Sequence, residues 1–126
     1  MDKTCFVVVA DDNHDAADSL ALLIESLGYR TRAVYDGREA VAACAACLPV
    51  AAILDVQMPE LDGCAAARLI RMAPRPPLMI ASHSALSHDE EPMKSGRGAF
   101  DFHLAKPARI EEIRHALAKF LHRRPN

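Results

Sequence analysis

The chain has 126 residues, 51% of them hydrophobic and 25% charged, enough for one domain with a real core and too few for a second. Its formal net charge is −2 and no Lys/Arg run is long enough to form a nucleic-acid stripe, so DNA or RNA binding is not expected. The opening "MDKTCFVVVADD" carries an apolar run too short for a signal-peptide core or a bilayer span, so a cytoplasmic chain with no membrane partner is expected.

Short apolar runs alternate with longer segments whose apolar residues recur every three or four positions, the pattern of βα units around a parallel sheet. "CFVVVA" (5–10) predicts a buried strand. The segment from Asp15 to Tyr29 predicts a helix, with Leu20, Leu23, Ile24 and Leu27 on one face and Gly28 as its stop. "RTRAV" (30–34) alternates like a more exposed strand. Tyr35, Asp36 and Gly37 turn into an Ala-rich helix over 38–47, closed by Pro49, and "AAILD" (51–55) is the third strand. Asp62 and Gly63 read as turn chemistry before a third helix from Gly63 to Met72. After the break "APRPP", "PLMIAS" (77–82) predicts strand four, and "FDFHLAKP" (100–107) predicts strand five with its turn. Between them "SHDEEPMKSGRG" (87–98) has little apolar periodicity and predicts a fourth helix of a turn or two. Ile110, Ile113, Leu117, Phe120 and Leu121 give the last helix its apolar face. The fold class is α/β, a doubly wound five-stranded parallel sheet in one domain.

Cys5, Cys44, Cys47 and Cys64 read as reduced, packed thiols. Cys44 and Cys47 have redox or zinc spacing, but they fall late in a helix and have no second pair at matching spacing.

Ligands of open parallel sheets bind beyond the carboxyl ends of the strands. Asp11 and Asp12 follow strand one, Asp55 ends strand three, Ser82 ends strand four and Lys106 follows strand five. Carboxylates about 4 Å apart repel by roughly 4 kcal/mol per pair at a surface-like dielectric, so the cluster calls for a cation. A hard divalent ion fits: Mg²⁺, with Mn²⁺ able to replace it, takes carboxylates, keeps waters and favours phosphate-bearing substrates, whereas zinc would want His or Cys. With that ion and Lys106 neutralising an incoming phosphoryl group, Asp55 is the best-placed nucleophile for an acyl phosphate.

On "VVVADDN", "ILDVQMPELDG", "MIAS" and "HLAKP", in that order along the whole chain, the sequence resembles the receiver domain of two-component response regulators. The resemblance implies a flavodoxin-like (βα)5 fold with strand order 2-1-3-4-5. It implies that Asp55 accepts a phosphoryl group from a phosphohistidine on a histidine kinase or histidine phosphotransfer domain. Asp12, Asp55 and the Gln57 backbone carbonyl would hold Mg²⁺ directly and Asp11 through water, while Ser82 and Lys106 would each take a phosphoryl oxygen. Pro59 and Gly63 would shape the loop after the nucleophile, and the Lys106–Pro107 bond would be cis. The activity expected is self-phosphotransfer with slow autodephosphorylation, and output through a downstream protein effector.

Three positions depart from the family pattern. Ser82 replaces the commoner Thr, His83 stands where a small residue is usual, and His103 occupies the place of the switch aromatic. Two other functions are alternatives on this fold. A magnesium phosphatase with an Asp nucleophile would want an acid where Gln57 stands, and a phosphate-independent binding module would not need the acids at all.

Overall fold

Val7, Val8 and Val9 are all fully buried, which requires a strand covered on both faces, and this strand lies in the interior of the sheet. The structure, a computed structural model, describes residues 6–74, 76–85 and 99–123. Cys5 and the short helix expected over 87–98 lie outside them. Strand β1 (Phe6–Ala10) runs between β2 (Arg30–Val34) and β3 (Ala51–Asp55), followed by β4 (Met79–Ser84) and β5 (Phe102–Ala105). All pairs are parallel and the order is β2-β1-β3-β4-β5, the flavodoxin-like order that the resemblance implies.

Among the described residues four helices cover the sheet: α1 (His14–Glu25), α2 (Gly37–Cys47), α3 (Gly63–Met72) and α4 (Ile110–Arg123). Alternation along the strands divides the core. Val8, Ala10 and Leu54 pack with Ala40 and Cys44 of α2 and with Cys64, Ala67 and Ile70 of α3. Val7, Val9 and Ile53 pack with Leu20 and Ile24 of α1 and with Ile113 and Leu117 of α4. Three helices start on a side-chain cap: Asn13, Asp36 and Asp62 accept from the backbone N–H of Ala16, Glu39 and Ala65, each satisfying a donor that the first turn leaves open. Asp62 is therefore helix-start chemistry, as its turn signal indicates. Helix α2 ends on Leu48 in the left-handed region (φ 50), a place usually taken by glycine.

Three strand limits move, the first being the start of strand four, which lies at Met79 rather than at Pro77, a residue with no N–H to give to a ladder. Strand four does not stop at Ser82 but runs on to Ser84, because β5 supplies partners as far as Ser84 opposite Ala105 and the Lys106 N–H donates to the Ser84 carbonyl at 3.1 Å. Strand five starts at Phe102 rather than Phe100. Asp101 takes the preceding position by its side chain, accepting from the Ile80 N–H at 2.9 Å while pairing with Arg71 at 2.6 Å. Cys44 and Cys64 are buried free thiols and Cys47 is a half-buried one, all three on helices. No helix among the described residues is long and apolar enough to cross a membrane.

Candidate functional site

Asp11 leaves β1 with its N–H still donating to Val34 at 3.2 Å, which carries its side chain to the carboxyl edge of the sheet. It is only 2% exposed, and one carboxylate oxygen accepts from the Asn13 N–H at 3.0 Å. Asp55, the last residue of β3, is 5% exposed and accepts from the Gln57 N–H at 3.3 Å. Asp12 is exposed beside them, and one oxygen from each of Asp11, Asp12 and Asp55 lies within 4.8 Å of the others.

Lys106 enters from the end of β5, its Nζ 2.9 Å from Asp11 Oδ2 and 3.3 Å from Asp55 Oδ2. Asp11 Oδ2 is buried, and the Lys106 ammonium is the one charge set against it among the described residues. An oxygen of that kind is a ready ligand for a hard cation, and the all-oxygen donor set suits magnesium rather than zinc. The residues present therefore fit the ion.

The electrostatics are those of charges crowded out of water. Burial first, and then the neighbouring Asp11 charge, push the Asp55 carboxyl up to about 6 against the opposing pull of Lys106. Burial works against the Lys106 ammonium too, but Asp11 and Asp55 outweigh it and hold its pKa above the usual lysine value. His83 is pushed the other way, by burial and then by Lys106.

The loop after Asp55 is locked by close backbone approach. A Cβ on Gly63 would lie 2.3 Å from the Asp55 carbonyl oxygen, and the Gly63 N–H donates to Val56 at 2.9 Å. A Cβ on Gly37 would lie 2.1 Å from the Leu61 carbonyl oxygen, so the start of α2 rests on the same loop. Between them the Leu61 N–H donates to the Pro59 carbonyl at 2.8 Å and Glu60 adopts φ 68. The Lys106–Pro107 peptide is cis.

Ser82 and His103 form a second group. Ser82 is fully buried, and its Oγ lies 2.7 Å from Nδ1 of His103, the residue opposite it on β5. Among the described residues the Ser82 hydroxyl thus meets His103 and not the acid cluster. His83 points elsewhere: its Nε2 accepts from the Ala108 N–H at 3.3 Å, and its ring lines a recess of about 400 Å³ that adjoins Lys106 and Pro107 and is walled by Leu20 and Leu23 of α1.

Sequence reasoning missed two features. Gly37 reads as a generic turn residue, yet its missing side chain is what admits Leu61; its place as the first helical residue behind the Asp36 cap was the available signal. His14 is the surface residue its sequence suggests, but its stacking on Tyr35, with ring centroids 3.8 Å apart, and the donation of the Tyr35 hydroxyl to Asp18 at 2.7 Å are announced by no local pattern.

The family model of the response regulator receiver domain matches residues 7–118. The chain belongs to this family. The receiver is 32% identical over 109 residues to the response regulator MprA of Mycolicibacterium vanbaalenii, covering 85% of this chain and 46% of that protein, and 31% identical over the same length to MprA of Mycobacterium ulcerans. It spans about half the length of the curated relatives it matches, 46% of each of these two. Among solved structures, a putative response regulator of Chloroflexus aurantiacus is 28% identical with a TM-score of 0.81, covering 94% of this receiver and 98% of that chain. The receiver domain of a sensor histidine kinase of Pseudomonas aeruginosa PAO1 is 26% identical with a TM-score of 0.84, covering 93% and 97%, and was solved with a magnesium ion coordinated in its active-site cleft.

Proposed function

We propose that this receiver is a phosphoacceptor switch in which Asp55 takes a phosphoryl group from a phosphohistidine on a histidine kinase or histidine phosphotransfer domain. An Asp55 oxygen forms the new P–O bond while the P–N bond to the donor imidazole breaks, and the freed imidazole nitrogen keeps the electron pair. What supports this role is the setting of Asp55: a nearly buried carboxylate at a strand end, 3.3 Å from the Lys106 ammonium and within 4.8 Å of two further acids. With a pKa of about 6 its nucleophilic form predominates at neutral pH.

Asp12, Asp55 and the Gln57 carbonyl would hold magnesium or manganese, with Asp11 helping through water, and the ion would neutralise phosphoryl charge. Lys106 pairs with one phosphoryl oxygen, and the Ser82 hydroxyl donates to another. Ser82 and His103 together form the switch that a protein effector reads. The apolar recess between α1 and Pro107 adjoins Lys106 and suits the approach of the donor protein. With Gln57 two residues after the nucleophile there is no carboxylic acid to serve a leaving group, and the expected activity stays at one transfer followed by slow self-hydrolysis.

The test is intact-protein mass after incubation with acetyl phosphate, with and without Mg²⁺, on wild type and Asp55→Asn. A single metal-dependent phosphoryl adduct that vanishes in the variant is the expected result. No adduct on a protein that still binds the metal would point to a phosphate-independent binding module.

A further inference from the structure

The acids stand at the mouths of two loops, one from β1 into α1 and one from β3 into α3, and the turn from β2 into α2 touches both. On the first side the Asp11 N–H donates to the Val34 carbonyl at 3.2 Å, and the Tyr35 ring stacks on His14 with centroids 3.8 Å apart and planes 18° apart. The Tyr35 hydroxyl donates to Asp18 at 2.7 Å. His14 and Asp18 are four positions apart and share one face of α1, so this half-buried ring spans the first turn of the helix. On the other side a Cβ on Gly37 would lie 2.1 Å from the Leu61 carbonyl oxygen, in the loop that follows Asp55. The turn is itself tied: the Tyr35 N–H donates to Glu39 at 2.8 Å and the Glu39 N–H to Asp36 at 2.7 Å, a reciprocal pairing that fixes the entry into a helix.

Asp11 and Asp55 are held in place by burial, whereas Asp12 is exposed. What places Asp12 is the backbone on either side of it. The Asn13 N–H donates to Asp11 at 3.0 Å, the Asn13 side chain accepts from the Ala16 N–H at 3.0 Å, and the next residue is His14. A ring that fixes His14 and Asp18 against the β2–α2 turn therefore fixes the peptide that carries Asp12, and the same turn rests on the loop behind Asp55. We infer that Tyr35 is a positioning residue for the metal site, bracing the first turn of α1 so that Asp12 stands ready beside Asp11 and Asp55. A carboxylate ordered beforehand spares the ion the cost of ordering it. Partners that orient a metal ligand directly are worth about 10–100-fold in affinity, and a brace acting through the backbone is expected to be worth about three- to tenfold. This inference rests on the metal site of the phosphoacceptor reading and deepens it.

The experiment is titration of the ¹⁵N-labelled full chain with Mg²⁺, followed by amide NMR at about pH 8, where an ordinary imidazole is neutral, beside urea unfolding of the metal-free protein. Tyr35→Leu and His14→Ala are each expected to raise the Kd for Mg²⁺ by about three- to tenfold, and the double variant by no more than the larger of the two, because both break one brace. Tyr35→Phe, which keeps the ring on His14, is expected to stay within about twofold of wild type. His14 is exposed, so His14→Ala leaves the core closed and weakens the ion while the metal-free urea midpoint stays where it was, a separation that a merely structural contact would not produce. A wild-type Kd in Tyr35→Leu or His14→Ala, or losses that multiply in the double variant, overturns the inference and leaves the metal site standing. Wild-type protein that binds no Mg²⁺, or Asp12→Ala that binds it equally well, removes the metal site and the inference with it. The acetyl phosphate adduct, followed by mass at saturating Mg²⁺, tests the chemistry of Asp55 separately: its absence from wild type removes the phosphoacceptor role, while Kd values that shift as expected still establish the brace.

Discussion

Asp55 occupies a crevice that opposes its own ionisation. Its pKa rises from 3.8 to about 6 through burial and the Asp11 charge, so between those values the folded state binds more protons than the unfolded chain. By linkage the metal-free fold is stabilised by the protonated acid at low pH and loses that advantage as pH rises through about 6. Above this the ionised carboxylate costs on the order of 2–3 kcal/mol, at about 1.4 kcal/mol per pKa unit. Asp55→Asn, which removes the charge and keeps the shape, is therefore expected to raise the urea midpoint of the metal-free protein at about pH 8 and to change it little at about pH 4. Equal effects at both values would mean that the substitution acts through packing instead. The position of this residue was legible, because an apolar run that ends on an acid is a recognisable pattern. Its pKa was not, since that depends on Asp11 and Lys106, which reach it from two other strands, and on burial that only the packed structure defines. His83 shows the same limit: its bulk was legible at once, but not its bond to the Ala108 N–H.

Helix α3 reaches Asp55 through a glycine. Because a Cβ on Gly63 would fall 2.3 Å from the Asp55 carbonyl oxygen, with backbone rather than a flexible side chain in the way, Gly63→Ala must push α3 or the end of β3 aside. A loss of about 1–3 kcal/mol, the usual cost of overpacking, is expected, together with slower adduct formation as Asp55 shifts. Gly28→Ala is the control. Gly28 adopts φ 100 with open space around it, so alanine there meets only backbone strain, about 1 kcal/mol, and leaves the adduct rate unchanged. Urea titration and the mass-detected initial rate separate the two; a Gly63→Ala protein that phosphorylates at the wild-type rate would dissociate this close approach from the chemistry. Element identities were legible where capping and periodicity agreed, as at Asp62 and along α1. Strand ends were less so, because β4 is prolonged by pairing with β5 and β5 is shortened by the Asp101 side chain, and both effects come from residues distant in sequence.

At the scale of the whole molecule, the sheet draws three acids from two adjacent strands to one edge and sets a lysine from a third against them. The buried Val7–Val9 run marks β1 as an interior strand, but its neighbours were legible only through the family resemblance, since nothing in the residues of β2 or β4 states which strand each will pair with. The assembled cluster is a property of the native state, and the unfolded chain does not hold these carboxylates together. Magnesium that binds there must therefore stabilise the fold by mass action: about 1.4 kcal/mol at ten times its dissociation constant, a rise of roughly 3–6 °C in the melting temperature of a domain this size. The increment is expected to disappear with a chelator and to shrink below about pH 6, where protonated Asp55 no longer offers its charge. It should also shrink in Asp12→Ala and persist in His103→Asn, because Asp12 belongs to the acid cluster and His103 to the Ser82 pair. Thermal melts across a magnesium series read all four arms, and an undiminished increment in Asp12→Ala would place the ion somewhere other than beside Asp55.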